Sequence, residues 1–173
     1  MRHSLQIRAG FPTDASRLSV LATQVWLHTY ATEGITDEIT TYVTSELSVE
    51  KFSASLCDPE TLVILAEYGA CLAGFAAVRF DVSCPVGATS TVELQTLYVQ
   101  EYFIGRGVGR SLLLAAEAAA REKSGGSLWL TVNAGNARAI AFYARQGYCR
   151  VGSTYFVLGE GRHENHVLVG TDP

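Results

Sequence analysis

The chain has 173 residues, with 17 acidic and 13 basic side chains and a formal net charge of −4. That length suits one domain, and 48% hydrophobic against 17% charged residues excludes a disordered tail. The acidic balance argues against a protein that works by neutralising nucleic-acid phosphates, and no run of about eighteen apolar residues is present to cross a membrane as a helix.

Met1 to Gly10 lacks the apolar core of a secretory signal, which points to the cytoplasm. Leu5–Ala9 alternates and reads as a strand. Pro12-Thr13-Asp14 gives a helix start with Thr13 or Asp14 as N-cap, and Leu18, Leu21, Val25 and Trp26 make an apolar stripe running to about Tyr30. A weaker helix covers Asp37–Leu47. After Asp58-Pro59 the period changes: Thr61–Glu67 and Cys71–Asp81 form a hairpin, and Ser90–Val99 is a third strand. A glycine-rich turn leads into a strong helix with Val108, Leu112, Ala115, Ala116 and Ala119 on its apolar face, ending at Gly125-Gly126. Leu128–Val132 is a strand and Asn136–Gln146 a helix closed by Gly147. Tyr148–Leu158 and His163–Gly170 form a terminal hairpin around Gly159–Gly161.

The order β-α-α-β-β-β-α-β-α-β-β implies a mixed sheet with helices on its faces, in one domain spanning residues 1–173. Cys57, Cys71, Cys84 and Cys149 show no Cys-x-x-Cys pair and no histidine at ligand spacing, so we expect reduced cysteines, mostly packed as small apolar residues, and no metal.

Three glycines alternate at 105, 107 and 109, after a strand and before a helix. Glycine admits positive φ and a close ligand approach, and a helix N-terminus offers unpaired N–H groups to a phosphate or diphosphate. Arg106 and Arg110 add charge. A P-loop reading fails at Ile104, where its first glycine belongs, and at Arg110, where its lysine belongs. A dinucleotide fingerprint fails at Arg110, its last glycine position. Glu93-Leu94-Gln95-Thr96-Leu97-Tyr98-Val99 followed by Ile104-Gly105-Arg106-Gly107-Val108-Gly109-Arg110 resembles the acyl-CoA diphosphate loop of the GNAT superfamily of N-acetyltransferases. Gly107 and Gly109 match its [QR]-x-x-G-x-[GA] pattern; Ile104 replaces the usual Gln or Arg.

A second stretch, Asn136 to Tyr148, resembles that family's N-x-x-A-x-x-F-Y-x-x-x-G-[FY] motif at Asn136, Ala139, Phe142, Tyr143, Gly147 and Tyr148. Asn136 and Tyr143 are seven apart, about two helical turns, so both face one way. Asn136 suits an N-cap or a contact to the pantetheine arm. Less specific likeness, at Leu128-Trp129-Leu130, Tyr155–Gly159 and Trp26 to Tyr30, is nearest to polyamine N-acetyltransferases of the PaiA type.

The resemblance implies an α/β fold of the α+β type: a mixed, mostly antiparallel central sheet of about seven strands with four helices, splayed between strands 4 and 5. It implies acetyl-CoA as co-substrate. Leu97, Tyr98 and Val99 would pair with pantetheine amides through their backbone, and Ile104 to Arg110 would hold the diphosphate. Tyr143 would be the general acid that protonates the leaving thiolate. An ammonium acceptor must lose a proton before it attacks. Glu93 is the candidate base, with binding of a cationic acceptor as its other reading. Trp26, His28, Tyr30 and Tyr42 lie on helices that wall the acceptor pocket in this family.

The expected activity is direct transfer of an acetyl group to a primary amine, such as a polyamine or another basic small molecule. Neither nucleic acid nor membrane is an expected partner, and the family leaves a homodimer open. The alternatives are acetylation of a protein amine and a non-catalytic acyl-CoA sensor or interaction module on the same fold. Charge divides along the chain. Residues 31–70 hold eight acidic side chains and one basic, and residues 101–150 hold seven basic and three acidic. The acidic segment favours a cationic acceptor.

Overall fold

In the computed structural model, which describes residues 4–159 and 161–170, the chain opens with β1 (Leu5–Ala9). A 3-10 turn (Pro12–Asp14) leads into α1 (Ala15–Tyr30). The anticipated second helix is α2 (Asp37–Glu46), capped by the Thr36 side chain. A further helix, α3 (Val49–Cys57), follows at once, because Ser48 Oγ accepts from Lys51 N and starts a new helix. Then come β2 (Thr61–Tyr68), β3 (Cys71–Arg79), β4 (Val92–Val99), α4 (Val108–Ser124), β5 (Leu128–Asn133), α5 (Ala137–Arg145), β6 (Tyr148–Leu158) and β7 (Gly161–Gly170). The turn expected at 159–161 has its middle residue outside the described residues.

The strands order as β1-β2-β3-β4-β5-β7-β6 in one mixed sheet of seven. β1 runs antiparallel to β2 from Leu5↔Tyr68 to Ala9↔Ile64. β7 lies antiparallel to both β5 and β6, with a bulge in β6 between Arg150 and Gly152. The β4–β5 ladder is parallel and couples Val92 to Leu128 and Glu93 to Trp129, the first two residues of each strand. A parallel pair among antiparallel ones needs a crossover, and α4 supplies it.

The chain divides into two compact units, residues 1–77 with 96–115, and residues 78–95 with 116–173. In the first, Leu18, Leu21, Ala22 and Trp26 of α1 are buried, as are Val63 to Ala66 of β2 and Phe75 of β3. Trp26 stacks on Tyr42 at 4.7 Å, and Phe52 meets Phe75 edge-on at 5.7 Å. Asp14 precedes α1 as expected of an N-cap, yet its carboxylate does not cap that helix. It accepts from Phe11 N at 2.9 Å and from both terminal nitrogens of Arg8 at 2.8 and 2.9 Å. Arg8 also grips Glu67 through Nε at 2.7 Å, and Arg17 reaches Glu67 at 2.8 Å. Two carboxylates near 5% exposure are thus satisfied by two guanidinium groups.

In the second unit, Leu128, Trp129, Leu130 and Val132 of β5 pack with Val167 and Leu168 of β7. The connection from β3 to β4 lies against this part of the sheet. The Trp129 indole donates to Val82 O at 2.8 Å, and Cys84 is buried against Trp129 and Val167. Val86 fills the space above Gly152, where a Cβ would stand 2.7 Å from its Cγ1. The expectation for the cysteines needs correction. All four are free thiols, but Cys84 alone is buried. Cys57 ends α3, Cys71 opens β3 at a hairpin turn and Cys149 lies on edge strand β6, positions that leave side chains in solvent.

Candidate active site

Leu97, Tyr98, Val99 and the loop from Ile104 to Arg110 lie in the first unit. Gly74 of β3 governs how they sit. A Cβ there would lie 2.6 Å from Tyr98 O and 3.2 Å from side-chain carbons of Leu112 and Val108. Only a glycine lets the β4 backbone and the start of α4 come so near β3. Gly74 was not among the candidates; an isolated glycine within a strand is the signal that could have found it. The Tyr98 ring packs edge-on against Phe75 at 5.7 Å, and Gln100 N donates to Ala73 O at 2.9 Å.

Beyond β4 a 3-10 turn, Glu101–Phe103, is pinned by Phe103 stacking on Tyr68 at 5.4 Å. Ile104 is exposed and donates its N–H to Glu101 O. Gly105 and Gly107 follow at φ of 77° and 83°, a region that side chains rarely adopt. Nothing stands within 4 Å of where a Cβ on either would lie. Ser111 N donates to Gly107 O at 3.0 Å, so the helical ladder begins there. The N–H groups of Val108, Gly109 and Arg110 precede it and have no helical carbonyl to receive them. Arg106 and Arg110 are exposed, so unpaired N–H groups and positive charge come together at the start of α4.

Glu93, Asn136 and Tyr143 lie in the second unit. Glu93, second residue of β4, is half-buried. Desolvation raises its pKa above the usual carboxylate range, against the opposing effects of a Gln95 hydrogen bond and the Arg79 charge. Asn136 caps α5, its Oδ1 accepting from Ala139 N at 3.0 Å. Tyr143 is 7% exposed, with its ring against Phe142 at 5.2 Å and Tyr148 at 5.7 Å. Burial pushes its pKa well above the ordinary phenol value. Such a group keeps its proton at neutral pH. Of the residues on the first helices, Trp26 and Tyr42 stack on each other, while His28 faces Glu101 at 3.6 Å. Among the described residues no three His, Cys, Asp or Glu side chains form a possible metal-ligand set, and no helix is long and apolar enough to cross a membrane.

Residues 25–148 match the sequence profile of the acetyltransferase (GNAT) family. An uncharacterized N-acetyltransferase of Mycobacterium tuberculosis is 28% identical over 158 residues, covering 91% of this chain and 97% of its own. A streptothricin acetyltransferase of Streptomyces lavendulae is 34% identical over 110 residues, 61% of this chain and 55% of that one. The crystal structure of a PaiA N-acetyltransferase from Thermoplasma acidophilum in complex with coenzyme A superposes with a TM-score of 0.79. It has 21% identity and covers 98% of this chain and 99% of the other.

Proposed function

Because the chain belongs to the acetyltransferase (GNAT) family, we propose that it moves the acetyl group of acetyl-CoA directly to a primary amine of a cationic small molecule, a polyamine or a similar basic amine. The observation that supports the co-substrate assignment is the loop before α4: two left-handed glycines with open space above them and three N–H groups that precede the helical ladder. Ile104 to Arg110 would hold the diphosphate there, and the backbone of Leu97 to Val99 the pantetheine amides. The loss of the usual Gln or Arg at Ile104 removes one side-chain contact and leaves the backbone amides in place.

Acetyl-CoA supplies an acyl group already activated toward amines. Glu93 takes a proton from the incoming ammonium, directly or through water, so that a lone pair is free to form the C–N bond. Tyr143 gives its proton to the sulfur as the C–S bond breaks. The nitrogen's second proton passes to the Tyr143 oxygen and Glu93 releases its proton to solvent, so the amide, the free thiol and one proton complete the balance.

Eight acidic side chains against one basic between residues 31 and 70 support a cationic acceptor. The 34% identity to a streptothricin acetyltransferase supports a second reading, in which the acceptor is an antibiotic amine of that kind. A thiol-release assay with acetyl-CoA and an amine panel, with products identified by mass spectrometry, tests both. Turnover concentrated in polyamines supports the first reading, and turnover confined to streptothricin the second. Reaction only with anionic or neutral acceptors overturns the ranking. Coenzyme A binding without turnover of any amine makes the chain an acyl-CoA sensor.

A further inference from the structure

Tyr148 opens β6 immediately after α5 and is 5% exposed. Its ring lies over its cross-strand partner Gly170, where a Cβ would stand 3.2 Å from Cζ and 3.4 Å from Cε1 and Oη. Its hydroxyl donates to Glu117 Oε1 of α4 at 3.0 Å. Its ring also meets Tyr143 at 5.7 Å and 57°. The other ring against Tyr143 is Phe142, which rides on the same helix and fixes nothing relative to the sheet.

We propose that Tyr148, anchored by Glu117, is the positioning residue for Tyr143: the bond from the Tyr148 hydroxyl to the Glu117 carboxylate holds in place the ring that seats Tyr143. This rests on the reading of Tyr143 as proton donor. A phenylalanine at 148 would fill nearly the same volume without the bond to Glu117, so that substitution separates anchoring from packing. A phenol–carboxylate hydrogen bond is charge-assisted and directional, and it ties α4 to the start of β6 at the point where α5 ends. A proton donor is sensitive to such anchoring because small displacements of a reacting group cost rate more than affinity. Burial and, after it, the Glu117 carboxylate raise the Tyr148 pKa, with Arg121 opposing, so Tyr148 stays neutral beside Tyr143.

The test compares Y148F, E117A, their double variant, E117Q and Y143F by kcat, by KM for acetyl-CoA and by thermal unfolding. Y148F and E117A should each lower kcat about fivefold with KM within about twofold, and the double variant should lose no more than either alone. E117Q, whose amide oxygen still accepts the bond, should restore the rate lost in E117A. Wild-type kcat in Y148F, or losses that multiply in the double variant, overturns the positioning role while leaving Tyr143 in place. Wild-type kcat in Y143F removes the proton donor itself, and this inference with it.

Discussion

Burial moves Glu93 and Tyr143 in the same direction, with different consequences for the two proposed tasks. Desolvation raises both pKa values. For a glutamate this makes a stronger base, and for a tyrosine it keeps the proton in place and makes it a weaker acid, so donation relies on the basicity of the departing thiolate and on position. If Glu93 takes the acceptor's proton, kcat at saturating amine falls as pH drops through its raised pKa, so the acidic limb lies above the range of an exposed glutamate. Glu93→Gln should lower the plateau by about 10²-fold and flatten that limb. A limb unchanged in the variant assigns Glu93 to acceptor binding alone. At this scale the sequence was informative where a residue belongs to a local motif: Asn136 caps α5, and Gly105 and Gly107 take positive φ. It was silent where the partner is far along the chain. Tyr148 and Glu117 are 31 residues apart, and no spacing rule joins them.

The elements were legible because most carry their own signal. The shift from helical to alternating spacing after Asp58, and the glycines after α4 and α5, mark boundaries that chain-local physics sets. The split between α2 and α3 was less visible, since the apolar spacing runs on and only Ser48 marks the break. The ion network that joins β1, α1 and β2 could not be read at all, because it links Arg8 to Glu67 across 59 residues. It has a consequence for acid stability. Arg8 holds the Asp14 pKa down at about 2, and arginine hydrogen bonds hold Glu67 below its usual value. Depressed carboxylate pKa values give stability that is fully present above about pH 4 and lost as pH falls toward the folded values; Asp14 alone contributes about 2 kcal/mol. The urea midpoint should therefore drop between about pH 4 and pH 2. Glu67→Gln should cost about 1–2 kcal/mol at neutral pH, because it leaves the partly exposed Arg8 and Arg17 guanidinium groups sharing the one carboxylate of Asp14. A cost below about 0.5 kcal/mol would mean that solvent already screens the network.

Across the whole molecule, a net charge of −4 conceals a basic stretch around the glycine loop and an acidic one over α2 and α3. Fold class followed from motifs, as did the proposed co-substrate, whereas the proposed acceptor class rests only on this diffuse electrostatic signature. One domain over residues 1–173 is likewise our proposal. The chain holds two tryptophans, and each compact unit has one: Trp26 stacked on Tyr42, and Trp129 bonded to Val82. Their surroundings differ, since one indole lies against a phenol ring that can quench it and the other donates to a backbone carbonyl. The protein thus carries two native optical reporters that divide between its halves. Trp26→Phe and Trp129→Phe each leave a single emitter, and one cooperative domain requires each variant's emission curve to coincide with its own circular-dichroism curve under denaturant.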